Sequence, residues 1–244
     1  MHTKHFKLTI AYDGTRYGGW QRQPNAMTIQ QLVEEAIEIV QGSRFKIEGS
    51  GRTDAGVHAQ AQVASCSLIT RHKSPVLLRA LNAYLPEDVR VLRVQEVAAG
   101  FHARFSATGK EYRYQIYTGV VADPFLRAYA WHHPWKLDVA AMRRAARLLK
   151  GRHDFTALAA KSERMPVRTI SKLTVTKRGE LLTIAVAADG FLYKMVRSIV
   201  GALVKVGEGK MTAEELGMIL AGQKRVTLVE TAPAKGLFLW RVDY

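Results

Sequence analysis

Eight consecutive residues, Gly51-Arg52-Thr53-Asp54-Ala55-Gly56-Val57-His58, combine an acid, a base and two glycines in a segment without helical or strand period. Glycines so placed let the backbone turn tightly around Asp54, and small neighbours at Ala55 and Gly56 leave room for a bound group to approach. An Asp in such a loop is ordinarily a turn former or a helix cap. A carboxylate held ionised beside Arg52 is also a competent nucleophile or general base. No other stretch offers so clear a choice: the chain has no phosphate-binding Gly-Lys-Ser/Thr loop and no dinucleotide fingerprint. His58, His102, His132, His133 and His153 are scattered without metal-ligand spacing, so they read as packing, capping or surface contacts, and no metal is expected.

The elements that must position this loop alternate in a readable order. Residues 6–12 have strand character, and Thr28 then caps a helix whose Ile29, Leu32, Val33, Ala36, Ile37 and Val40 share one face, with Gln31 placed to close a capping box. Short strands near 45–50 and 60–69 flank the loop. Ser74 and Pro75 announce a second helix, and 89–94 a further strand, giving β-α-β-β-α-β. The second half repeats the order. A strand at 112–117 is followed by a helix capped by Asp138, strands at 167–177 and 180–188 joined at Arg178-Gly179, a helix over about 191–206, a helix boxed by Thr212 and Glu215, and a last strand near 236–242.

Two such halves predict an α+β protein of two ferredoxin-like, RRM-like βαββαβ domains, 1–106 and 107–244. They would form an extended, mostly antiparallel sheet with helices on one face, a free binding face on the other, and a cleft between the domains. The first would carry the Asp54 loop, the second complete the cleft. Charge points to the partner. The 244 residues hold 36 Lys+Arg against 21 Asp+Glu, a net +15 spread along the chain, and a polyanion gains by releasing counterions to such a protein. No apolar run approaches the roughly 20 residues that span a bilayer, and the opening residues have no hydrophobic signal core, so a cytoplasmic location is expected. The lone Cys66 lies in an alternating stretch and reads as a buried strand thiol.

The loop resembles the signature loop of the tRNA pseudouridine synthase I (TruA) family, and the similarity runs the length of the chain. Tyr12-Asp13-Gly14-Thr15, Gly19-Trp20-Gln21 and Gln23 resemble the family's amino-terminal motif, and Phe101-His102-Ala103-Arg104-Phe105-Ser106-Ala107 its mid-chain motif. Lys110-Glu111-Tyr112-Arg113-Tyr114, Gly151-His153-Asp154-Phe155, Arg168-Thr169-Ile170, Gly190-Phe191-Leu192, Met195-Val196-Arg197 and Ala232-Pro233-Gly236-Leu237 continue the agreement in order. The stretch 159–165 matches less clearly. The resemblance implies isomerisation of uridine to pseudouridine at positions 38, 39 and 40 of the tRNA anticodon stem-loop, by a homodimer, without a cofactor and with neither DNA nor membrane as partner.

Carried over residue by residue, it makes Asp54 the catalytic carboxylate and Tyr112 the aromatic that stacks on the target base and can accept a proton. Arg197 pairs with Asp54. Arg52 fills the space left by the flipped nucleotide or holds the adjacent phosphate. Tyr112 and Tyr114 share a strand face, so parity leaves open which of them is core. Tyr193, Lys194 and Arg197 are expected on one face of the 191–206 helix, where they could line a cleft. Two other readings use the same loop: a non-catalytic RNA-binding module, for which Asp54 is dispensable, and a nucleoside hydrolase, which ordinarily needs a second facing carboxylate.

Overall fold

The computed structural model describes residues 3–161, 164–224 and 226–244, and forms an α+β protein of two compact units. Ser162 and Glu163, within the weakly matching stretch, lie outside the described residues. One unit comprises the chain up to Thr108 with Phe238–Tyr244, the other Gly109–Leu237. The sequence places the boundary at 106/107 and leaves the closing strand with the second half. In the structure that strand's Phe238 and Leu239 pair with His58 and Ala59, which ties it to the first unit.

The first unit contains β1 (Thr3–Tyr12), α1 (Ile29–Gln41), β2 (Glu48–Gly49), β3 (His58–Ile69), α2 (Ser74–Tyr84) and β4 (Val89–Val97). β1 lies antiparallel between β4 and β3, and β2 pairs with β3, so the order is β4-β1-β3-β2, that of a ferredoxin-like sheet. Strand alternation decides what is buried. Phe6, Leu8, Ile10 and Tyr12 face inward and are buried, as are Val33 and Ile37 of α1 and Leu77 and Leu81 of α2; each contributes about 1.5–3 kcal/mol of apolar burial. The opposite face, expected to be free, is partly covered: Lys7 lies with its Nζ 4.1 Å from the ring centroid of Tyr244 and 5.7 Å from that of Phe101.

Helix starts differ from expectation in detail. Thr28 accepts from the Gln31 amide, but the Gln31 side chain donates forward to Glu35 (2.9 Å), so only one arm of the box is made. The amides of Ile29 and Gln30 donate instead to the carbonyls of Gly19 and Trp20, tying the motif before the helix to its first turn. Ser74 is the first helical residue of α2 and Lys73 stands at its cap.

The second unit contains β5 (Gly109–Tyr117), β6 (Trp131–His132), α3 (Val139–Leu148), β7 (Gly151–Asp154), β8 (Val167–Arg178), β9 (Leu181–Ala188), α4 (Met195–Gly207) and α5 (Ala213–Ala221); β10 (Leu237–Asp243) begins at its end. Its sheet runs β5-β9-β8-β7, antiparallel throughout, with β6 parallel to β5. Asp138 caps α3, and Thr212 with Glu215 forms a complete capping box on α5. α4 is buried along nearly its whole length. It begins at Met195, later than the sequence suggests, because Lys194 adopts a left-handed conformation (φ 58°); Tyr193 and Lys194 therefore precede the helix and do not share a helical face with Arg197.

Candidate active site

The Asp54 loop is held from beneath. Before it, Gln62 of β3, a fully buried amide, accepts from the Ser50 hydroxyl (2.7 Å) and from its neighbour's Val63 amide, and donates to the Gly51 carbonyl (3.0 Å). At its centre the Thr53 side chain is buried and its hydroxyl bonds the Tyr12 hydroxyl (2.8 Å), while the Thr53 carbonyl accepts from the Trp20 amide (3.1 Å). Burial pushes the Tyr12 hydroxyl well above the usual phenol range, so it stays protonated and serves as a fixed strut. After it, the Val57 amide closes a turn on the Asp54 carbonyl (3.1 Å), and the buried His58 accepts the Gly14 amide at Nδ1 (3.1 Å) and stacks on Phe238 with centroids 4.7 Å apart. The same Nδ1 lies 3.1 Å from a carboxylate oxygen of Asp13, so the ring also ties the amino-terminal motif to the loop through that side chain.

Two glycines make the fit possible. Gly19 has φ +93°, and a methyl group on it would strike the Thr53 carbonyl; one on Gly14 would strike the Val57 carbonyl. The amino-terminal motif therefore packs backbone to backbone against the loop. The register of β1 changes between Thr9 and Ile10 against β4 and between Ile10 and Tyr12 against β3, just where the strand reaches the loop. The outcome is alternation within the loop itself: Thr53 is buried, Arg52 exposed and Asp54 half-buried, an acid presented from a fixed backbone.

Arg52 and Asp54 share this loop; Tyr112 and Arg197 belong to the second unit. Tyr112, on β5, is 7% exposed and meets the Phe191 ring edge to face at 5.1 Å. Tyr114 is fully buried, donates its hydroxyl to the Pro233 carbonyl (2.7 Å), and lies where a methyl group on Gly236 would clash with its ring. Both side chains are buried, and Tyr114 is a core residue with a satisfied hydroxyl. Arg197 sits in the first turn of α4, with Nε donating to the Ala232 carbonyl (2.7 Å) and its own carbonyl accepting the Ala232 amide (3.1 Å). That segment is close because Gly201, one turn on, has no side chain to meet the Glu230 carbonyl.

Gln62, Tyr12 and Thr53 brace the loop; in the sequence Tyr12 and Thr53 stand out only as members of motifs, and Gln62 is not singled out. Only the oddity of an amide in an apolar strand could have signalled Gln62. Cys66 is buried in β3 and burial pushes its thiol up to about 12, as a strand thiol and not a nucleophile. Among the described residues no helix is long and apolar enough to cross a membrane.

Comparison with known proteins agrees with the loop. The family model described as tRNA pseudouridine synthase matches residues 8–106 and 145–244. A tRNA pseudouridine synthase A of Methylacidiphilum infernorum is 45% identical over 98% of this chain and 95% of its own length. Those of Geobacillus kaustophilus (43%, 99% and 95%) and Moorella thermoacetica (46%, 98% and 98%) are similarly alike end to end. With the matched residues bracketing the Asp54 loop and resuming through Arg197 to the carboxy terminus, the chain belongs to the tRNA pseudouridine synthase family.

Proposed function

We propose that this protein isomerises uridine to pseudouridine at positions 38, 39 and 40 of the tRNA anticodon stem-loop, with Asp54 as the group that starts the reaction. In that reaction the N1–C1′ bond breaks, the uracil turns while still bound, C5 bonds to C1′, the C5 proton leaves and N1 gains one, so mass is unchanged. Asp54 acts by attacking sugar or base, or by removing the C2′ proton to give a glycal. The observation that carries the reading is a half-buried carboxylate on a loop locked at Ser50, Thr53 and His58, in a chain of this family. Preorganisation of this kind is what a reacting carboxylate needs.

The remaining roles are part of the proposal. Tyr112 stacks on the target base, Arg197 forks on the Asp54 carboxylate, and Arg52 holds the adjacent phosphate or the space of the flipped nucleotide. The working form is a cytoplasmic homodimer that engages the anticodon stem-loop. Replacing Asp54 by Asn keeps shape and hydrogen bonding but removes the nucleophile or base. Asp54→Asn is therefore expected to lower pseudouridine formation by about 10³-fold or more while tRNA affinity stays within a few-fold. Tritium release from 5-tritiated uridine in unmodified tRNA measures the first and filter binding the second. Turnover near that of the native protein would overturn the assignment, and free uracil among the products would point to hydrolysis instead.

A further inference from the structure

A second feature of the first unit is an exposed aromatic ring on a braced turn. The Phe105 ring is 77% exposed, on a turn whose backbone amides are all engaged. The Ser106 amide donates to the His102 carbonyl (2.9 Å) and the His102 amide to the Ser106 hydroxyl (3.1 Å). The His102 Nδ1 takes the amides of Arg104 (3.1 Å) and Phe105 (3.4 Å). Ala103 between them is buried, its amide donating to the Ser65 hydroxyl of β3 (3.0 Å) and its carbonyl accepting from the Tyr244 hydroxyl (2.8 Å). The turn is thus pinned to the sheet with the Phe105 ring on its outer side.

A single exposed apolar side chain is ordinary on a protein surface. This one differs in its company. The Arg104 guanidinium lies 5.6 Å from the Phe105 ring centroid and the His102 ring 4.4 Å from it, tilted by 37°, so a cation and a second flat ring flank an exposed aromatic on a rigid turn. Sequence-tolerant contacts to unpaired nucleotides combine these parts: an aromatic face for the base and a cation for its phosphate. Because the backbone beneath the ring is already braced, less of the stacking is offset by ordering the turn.

We propose that the 102–106 turn is a stacking contact for an unpaired nucleotide of the RNA substrate, with Phe105 as the platform and Arg104 as the phosphate-facing cation. The proposal rests on the RNA-modifying reading above and adds a positioning contact to it. It is tested with the full-length protein and an unmodified tRNA transcript by binding across a salt series. Phe105→Ala is expected to weaken binding roughly 5- to 150-fold with an unchanged slope of log affinity against log salt, and Phe105→Tyr to restore it. Arg104→Gln is expected to reduce that slope by about 0.7–0.9, the signature of one lost phosphate contact. Melting temperature stays at the native value in all three, because both side chains are exposed and their loss removes no buried contact. Native affinity in Phe105→Ala overturns the proposal. So does an altered association state by sedimentation with RNA affinity intact, which would make the ring a protein contact. Failure of the Asp54 experiment leaves this binding measurement readable, so the two ideas fail separately.

Discussion

Tyr112 and Tyr114 point the same way from β5 yet stand in different surroundings, and the difference lies in what reaches them from distant sequence. Tyr114 meets Gly236 and the Pro233 carbonyl, more than a hundred residues on, and burial drives its hydroxyl far above the ordinary phenol range. No local pattern contains that information, which is why the sequence left the two unresolved. Deleting the Tyr114 hydroxyl leaves a buried carbonyl without its donor, so Tyr114→Phe is expected to cost about 1–3 kcal/mol of stability. The chemical step should remain at its native rate. Urea melts together with single-turnover rates check this; a slowed chemical step at native stability would transfer to Tyr114 the role proposed for Tyr112. The turn around Asp54 was legible for the opposite reason, since its loop is local and its glycines, at positions 51 and 56, announce it.

At the scale of elements, β5 presents two unlike faces. Its tyrosines point one way, and Glu111 and Arg113 the other. The Glu111 side chain is 4% exposed and accepts from Arg113 Nε (2.8 Å) and Lys172 Nζ of β8 (3.2 Å). Burial by itself raises the Glu111 carboxyl, but the hydrogen bonds and charges of Arg113 and Lys172 outweigh it and hold the group below its ordinary value of 4.5. A folded-state value below the unfolded one means that the unfolded chain binds the extra proton. The contribution is therefore complete above about pH 4.5 and is lost as pH falls through the folded value. Glu111→Gln is expected to melt lower than the native protein at neutral pH, with the gap narrowing as pH drops below that window. A gap independent of pH would show that the carboxylate's charge is not what stabilises. Periodicity located most elements, including every α-helix among the described residues, because each buries a stripe of side chains its own sequence displays. It missed β6 and β7, which at two and four residues are too short to show a period. It also could not tell that β10 pairs in parallel with β3, since a strand's pattern gives the face it buries and not its neighbour.

For the whole molecule, the net charge of +15 resolves into very unequal shares once the units are known. Gly109–Leu237 carries 22 Lys+Arg against 11 Asp+Glu, so about three quarters of an excess that is spread along the chain lies in the second unit. Part of it is on α3, whose buried stripe of Met142, Ala145 and Ala146 leaves Arg144 and Arg147 on the exposed side. Counterion release makes affinity for a folded RNA fall with salt, by about 0.7–0.9 in the log–log slope for each phosphate neutralised. If the second unit supplies most of those contacts, tRNA binding should weaken steeply with salt. The pair Arg144→Gln and Arg147→Gln should then flatten the slope by about 1.4–1.8. Arg71→Gln, an exposed charge of the first unit beyond β3, should leave it unchanged and serves as the control. Binding isotherms over a salt series for the native protein and these variants decide the matter. A steep native slope that the α3 pair does not alter would place the phosphate contacts on other cations, and a flat native slope would detach the positive charge from RNA altogether.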